Sequence, residues 1–259
     1  MKKSSLLILL MVLFLYGSVI ASNFNVFDYG AVADGKTDNT KAFQTALDKA
    51  AEKGEVVLAP AGQYRFDGVL TIPDGVTLKG IAEGPTMNSL KRGTLLMAFS
   101  GRDDEDSAPF ITMHHNSTIK GLSIYYPEQV ISDVRPYPWT IQIRGNRCNL
   151  IDLDIVNTYN GIDCGAVYHG QDYLRNIYMC ALRRGVYVDR TADIGRMENI
   201  HIHPSSWFDL VGEHDALREY CQSNLEGFII GRCDWQYMVN CFVIWAKVGF
   251  RFIETIGDP

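Results

Sequence analysis

The sequence predicts an all-β solenoid, a parallel β-helix, and three observations carry that expectation. First, one apolar–polar register recurs in Ile119-Lys-Gly-Leu-Ser-Ile124, Leu150-Ile-Asp-Leu-Asp-Ile155, Leu174-Arg-Asn-Ile-Tyr-Met179, Met197-Glu-Asn-Ile-His-Ile202 and Met238-Val-Asn-Cys-Phe-Val243. The middle three begin 24 and 23 residues apart. Second, Gly161-Ile-Asp, Gly185-Val-Tyr-Val and Gly249-Phe-Arg-Phe each begin eleven residues after the start of such a segment, and Gly227-Phe-Ile-Ile230 adds a fourth copy. Third, the segments are short, rich in Ile, Val, Leu and Tyr, and free of a helical period. A repeat of this length cannot bury its own apolar face, so neighbours must stack. Leucine-rich repeats share the period but need an L-x-x-L-x-L run with a helical return, and neither is present.

The elements follow in chain order. Lys2 and Lys3, the apolar run Leu6 to Tyr16 and the small-residue site Val19-Ile-Ala21 read as a secretory signal peptide over residues 1–21. The apolar run is short for a membrane span, and no cysteine follows the cleavage site to take a lipid. Residues 22–259 then form one β-helix domain. Asn25 to Ala31 is a short strand. Thr37 or Asp38 caps a helix reaching about Lys53, with Ala42, Phe43, Ala46, Leu47 and Ala50 on one face and Gly54 as its stop. Val56 to Leu58, Tyr64 to Phe66, Val69 to Ile72 and Val76 to Leu78 are strands between turn signals. Region 83–110, with Asp103-Asp-Glu-Asp106, reads as a solvated loop rather than a calcium loop, whose carboxylates alternate around a fixed glycine. A second excursion, about 204–224, interrupts the rungs and carries a helical stretch near Ala216 to Cys221. Gly249 to Ile253 is a strand in mid-register close to Pro259, with no polar cap after it, which predicts a chain truncated at its C-terminus.

Without the signal the chain has 22 cations and 30 carboxylates, a net charge of −8. An acidic exported chain is a poor partner for nucleic acid. The predicted location is therefore secreted, periplasmic or cell-surface, with no membrane association after cleavage. Cys148, Cys164, Cys180, Cys221, Cys233 and Cys241 are too sparse for a disulfide scaffold and none form C-x-x-C, although bridges between neighbouring rungs remain open. Cys241 reads as a small core residue. No cofactor and no metal are expected, since Glu213, His214 and Asp215 lack zinc spacing.

Asn25-Val-Phe-Asp-Tyr-Gly-Ala31, Asp34-Gly-Lys-Thr-Asp-Asn-Thr40 and Leu58-Ala-Pro-Ala-Gly-Gln-Tyr64 together resemble the opening of the pectate-lyase-like superfamily. The closer resemblance is to its branch of polygalacturonases, rhamnogalacturonases and phage tailspikes. The resemblance implies a right-handed β-helix plugged by the 38–53 helix, and a polysaccharide, often acidic, as partner. It does not imply one reaction, because the fold hosts hydrolases, lyases, epimerases and adhesins. Polygalacturonases carry N-T-D-G-I-D, then D-D, G-H-G and R-I-K. Here the first run is Asn157-Thr-Tyr-Asn-Gly-Ile-Asp163, with Asn160 in place of the acid, and Arg183-Arg184 stand at the D-D pair. Ser205-Ser-Trp-Phe208 falls where G-H-G is expected, and Gly249-Phe-Arg-Phe where R-I-K is expected. Glycoside hydrolysis needs two carboxyl groups about 5 Å or about 6.5–9.5 Å apart. Arginines at that position remove the usual pair.

Two columns of side chains are candidate sites. Arg183, Arg184, Trp207, Tyr159 and Asn160 are candidates for substrate binding: the arginines to clamp a sugar carboxylate and Trp207 to stack on a pyranose. The bland alternative pairs the arginines with Asp163 and Asp189. Asp154, Tyr178 and His201, with His203 on the same face, fall on successive rungs and form either an acid–base set or an exposed polar ladder. Asp154, His201 and Arg184 are the weak catalytic candidates, Arg184 as a lyase base. Asp152, Asn176, Asn199 and Asn240 read as a structural amide ladder. The expected function is an exported polysaccharide-active protein, a glycoside hydrolase or polysaccharide lyase on acidic, pectin-like glycans. The alternative is a non-catalytic glycan-binding or surface-structural β-helix.

Overall fold

A computed structural model describes residues 24–81, 90 and 92–255. The expected signal peptide lies outside the described residues. The chain coils so that strands from successive rungs pair in parallel, and the coil has three faces. Sheet A runs through Val56–Leu58, Thr77–Lys79, the first parts of Thr118–Tyr125, Asn149–Cys164, Tyr173–Val188 and Gly195–Ile202, and then Gln236–Val239. Sheet B contains Gly62–Phe66, Thr94–Ala98, the next parts of the same long strands, and Phe242–Val243. Sheet C contains Leu70–Ile72, Ile111–Met113, Trp139–Ile143, the last parts of Asn149–Cys164 and Tyr173–Val188, Glu226–Ile230 and Val248–Phe252. The core is a stack of inward columns, such as Leu78, Ile119, Leu150, Leu174 and Met197, all buried. The fold is the expected parallel β-helix.

The recurring six-residue register has a different local cause from plain alternation. Its third residue is Gly121, Asp152, Asn176, Asn199 or Asn240, with φ of 68°, 56°, 51°, 58° and 52°. That left-handed backbone is tolerated by Gly and, among other residues, most readily by Asn and Asp. Each register therefore contains the corner between sheets A and B. Three members of the expected amide ladder join there: Asn176 Nδ2 donates to Asp152 Oδ1 at 2.8 Å, and Asn199 Nδ2 to Asn176 Oδ1 at 2.8 Å.

The glycine repeat has a packing cause. A Cβ on Gly161 would meet the Gly185 carbonyl oxygen at 2.4 Å, and one on Gly185 would meet that of Gly227 at 2.4 Å. Backbones of successive rungs approach too closely there for a side chain.

Helix α1, Thr40–Ala51, begins beside the expected cap: Asp38 Oδ1 accepts from the Thr40 amide at 3.0 Å, and Asn39 at the N-cap position makes no side-chain cap bond. It buries Phe43, Ala46, Leu47 and Ala50. The excursion expected over 204–224 forms two helices, α2 (Ser205–Val211) and α3 (His214–Asn224), on the connection from sheet B to sheet C.

Region 83–110 is not a loop throughout. Thr94–Ala98 is a strand of sheet B whose Leu95, Leu96 and Ala98 are buried, an apolar run that its Gly- and Asp-rich flanks obscured. Two acids of that region pair with arginines: Asp103 lies 3.4 Å from Arg135, and Glu105 against Arg183. All six cysteines are free thiols, and burial pushes Cys148 up to about 12. Cys241 packs half-buried against the core. On the strand Val248–Phe252, Phe250 and Phe252 are 43% and 77% exposed.

Candidate functional site

A groove of about 380 Å³ lies on sheet C, and its lining includes Trp139, Asp163, Arg184, Tyr187, Glu226 and Arg251. Strand register places them. Trp139, Asn160, Arg184 and Glu226 follow one another across successive rungs, and Gln142, Asp163, Tyr187, Ile229 and Arg251 form the next outward column. The Trp139 and Tyr187 rings stack at 6.3 Å with 18° between planes, and the Arg184 guanidinium sits 5.8 Å over Trp139. Arg251 donates to Glu226 at 2.6 Å. Among the described residues Arg184 has no ion-pair partner.

Asp163 accepts from Gln142 Nε2 at 2.8 Å and from the Gly165 amide at 2.8 Å. Burial nevertheless raises its carboxyl above the usual range, because those donors only partly offset lost hydration. Asp189, one rung further, takes donors from Tyr187, Thr255 and the Arg190 and Arg232 amides, and is 3% exposed. It is a structural carboxylate. Asp163 and Glu226 are two rungs and three residues apart, about 14 Å between Cα atoms. Of the groove's two carboxylates, Asp163 and Glu226, Glu226 is engaged by Arg251.

The predicted binding residues divide. Arg184 lines the groove as expected. Arg183 is drawn aside by Glu105, and its guanidinium stands 5.7 Å over Tyr159. Neither arginine pairs with Asp163 or Asp189. Burial and then Arg184 push Arg183 down, and Glu226 and Tyr220 partly offset them. Asn160 is corrected: it is 1% exposed and its amide donates to the Tyr137 carbonyl, so it holds a loop. Trp207 is corrected as well. It lies on the inner face of α2, 3% exposed within the core, because the segment is helical where a loop was expected. The groove's aromatics are instead Trp139 and Tyr187. Trp139-Thr-Ile-Gln-Ile143 had alternation but no copy of the recurring motifs.

The second column has the predicted register, Ser123, Asp154, Tyr178, His201 and Phe242. Tyr178 and His201 lie 4.5 Å apart and His201 and Phe242 4.2 Å apart. It is not an exposed ladder. Asp154 is 8% exposed beside Ser206 of α2, and burial raises its carboxyl to about 7. Burial lowers His201 and His203. His203 Nδ1 is occupied by the Ser205 amide at 3.1 Å. Among the described residues, no three His, Cys, Asp or Glu side chains gather as a metal site.

Residues 23–95 match the family described as rhamnogalacturonase A/epimerase, pectate lyase-like. A mannuronan C5-epimerase of Azotobacter vinelandii is 42% identical over 79 residues, 27% of this chain and 4% of the epimerase. A polygalacturonase of Prunus persica is 26% identical over 224 residues, 83% of this chain and 54% of the enzyme. The phiAB6 tailspike, solved with oligosaccharides of Acinetobacter baumannii surface polysaccharide, matches with a TM-score of 0.58 at 17% identity. That match covers 86% of this chain and 37% of the tailspike. The chain thus spans about half the length of the polygalacturonase and a small part of the epimerase. Opening and fold together make this a protein of the pectate lyase-like superfamily.

Proposed function

We propose that this chain is an exported protein acting on acidic polysaccharide through the sheet C groove, by proton abstraction beside a uronate carboxylate. The observation that carries the reading is the groove's composition: Arg184 free of an acid partner, Trp139 and Tyr187 as apolar walls, and Asp163 with a raised carboxyl. Removing a proton α to a carboxylate needs that carboxylate neutralised by a cation and a single base. Hydrolysis needs two free acids, and of the groove's two Glu226 is held in an ion pair with Arg251. Arg184 would neutralise the uronate and Asp163 would take the proton. Lyases and C5-epimerases share this first step, and the epimerase name among the relatives supports the class.

The experiment is incubation with polygalacturonate and with alginate. Readouts are ultraviolet absorbance of an unsaturated uronate and exchange of the C5 proton in deuterated water. Either signal, abolished in Asp163→Asn, is the expected result. New reducing ends without unsaturation would move the protein to the hydrolases. A second reading, a non-catalytic glycan-binding β-helix, draws on the Arg251–Glu226 pair, which partly closes the groove. Silence in every assay with binding retained would favour it.

A further inference from the structure

Sheet A, on another face of the coil, segregates charge in a way the groove does not explain. Its outward positions form two straight columns. One runs Thr77, Thr118, Asn149, Tyr173, Arg196, Tyr237; the other runs Lys79, Lys120, Ile151, Arg175, Glu198, Val239. These positions hold four cations, Lys79, Lys120, Arg175 and Arg196, against one carboxylate, Glu198. The chain as a whole carries a net charge of −6. Lys79 and Arg196 are exposed, and Lys120 and Arg175 half-exposed.

Glu198 does not cancel this charge evenly. It accepts the Tyr173 hydroxyl at 2.5 Å, while the Arg175 guanidinium stands 5.9 Å over the Tyr173 ring. At the C-terminal end of the columns a shallow depression of about 700 Å³ is lined by Asn149, Tyr173, Arg196 and Tyr237, among others. Tyr237 is 55% exposed and lies two rungs, about 10 Å, from Tyr173 in the same column. Arg196 stands between the two rings.

We infer that sheet A is a second, non-catalytic binding track for an acidic polysaccharide laid along the coil axis. Tyr173 and Tyr237 supply ring faces, and Lys79, Lys120, Arg175 and Arg196 meet the carboxylates. The rung spacing of about 4.8 Å matches a polymer that presents one charge per sugar along its length. A charged track on a face remote from the groove holds the polymer nearby by multivalency, raising its local concentration without touching the chemistry. The ligand class rests on the proposed function, but the residues do not overlap those of the groove.

The test uses retention of the protein on immobilised polygalacturonate across a salt series. The variants are Lys79→Glu/Lys120→Glu/Arg196→Glu and, separately, Tyr237→Ala, with unchanged thermal melting as the control for folding. The triple variant is expected to bind the polymer about tenfold more weakly at low salt, with short-oligosaccharide turnover or binding in the groove unchanged. Arg184→Ala should show the reverse pattern, which separates failure of one site from failure of the other. Wild-type affinity in the triple variant would overturn the inference. So would duplex DNA competing as well as the uronate polymer, or retention indifferent to salt.

Discussion

Arg183 and Glu105 form an ion pair across 78 residues of sequence, fastening the loop after Thr94–Ala98 to the rung that carries the groove. The pairing divides the labour of the two adjacent arginines. Arg184→Ala should weaken an acidic glycan by about 1.5 kcal/mol, the low end for a charged hydrogen bond in a solvated groove. Arg183→Ala should leave affinity nearly unchanged and speed proteolytic cleavage within residues 99–110. Calorimetric titration and limited proteolysis read the two effects separately.

Asp154 makes stability depend on pH in an uncommon direction. Burial raises its carboxyl from 3.8 to about 7, so the folded chain holds a proton that the unfolded chain releases. That stabilisation is complete below about pH 4 and is lost as pH rises towards 7. His201 and His203 are lowered, so their contribution runs the other way and fades as pH falls through the imidazole range. Asp154→Asn should therefore be more stable than wild type at pH 8, by about 2–4 kcal/mol, with little difference at pH 4. Melting curves at the two values test the sign.

The amide ladder makes Asn176 a sensitive position. Asn176→Ala removes hydrogen bonds to Asp152 and Asn199 and places a Cβ residue at φ 51° without a polar side chain to support it. The expected cost is about 2–4 kcal/mol. Asn176→Gly should cost less, because it relieves the backbone while losing the same bonds. Denaturant unfolding of both variants checks the order.

Gly185 has an ordinary backbone but no space. Gly185→Ala would set a Cβ 2.4 Å from the Gly227 carbonyl oxygen and 2.5 Å from Ile202 Cδ1. The contact with the Gly227 backbone cannot relax by rotating a side chain, so a loss of about 1–3 kcal/mol is expected. A melting temperature equal to wild type would remove rung-to-rung crowding as the reason for the glycine repeat.

The sequence made the coil visible where rungs repeat their corner. Asp152, Asn176 and Asn199 marked it, because left-handed backbone and axial hydrogen bonding demand the same few residue types. Rungs through Thr94–Ala98, Ile111–Met113 and Trp139–Ile143 were harder to read, since long connections on the way to sheet C break the period. The face of the groove was legible through Arg184, and its walls were not. Trp207 was misplaced because a helix turned it inward, whereas Trp139 and Tyr187 meet only through pairing between rungs. Asp154 was read in the right column, but its burial depends on α2 folding over it, a contact that strand alternation does not encode.

The stacking of rungs also sets how the chain acquires its structure. Leu150 meets Leu174, and Leu174 meets Met197, so each layer is completed by partners about one repeat away in sequence. Closing loops of that size carries a modest entropic cost, and each finished layer is a template for the next. Folding should therefore spread as a front from the end sealed by α1, where Phe43 packs edge-on to Phe66 and Tyr64. Hydrogen exchange would then be slowest near Val57 and Leu78, the buried layers nearest α1.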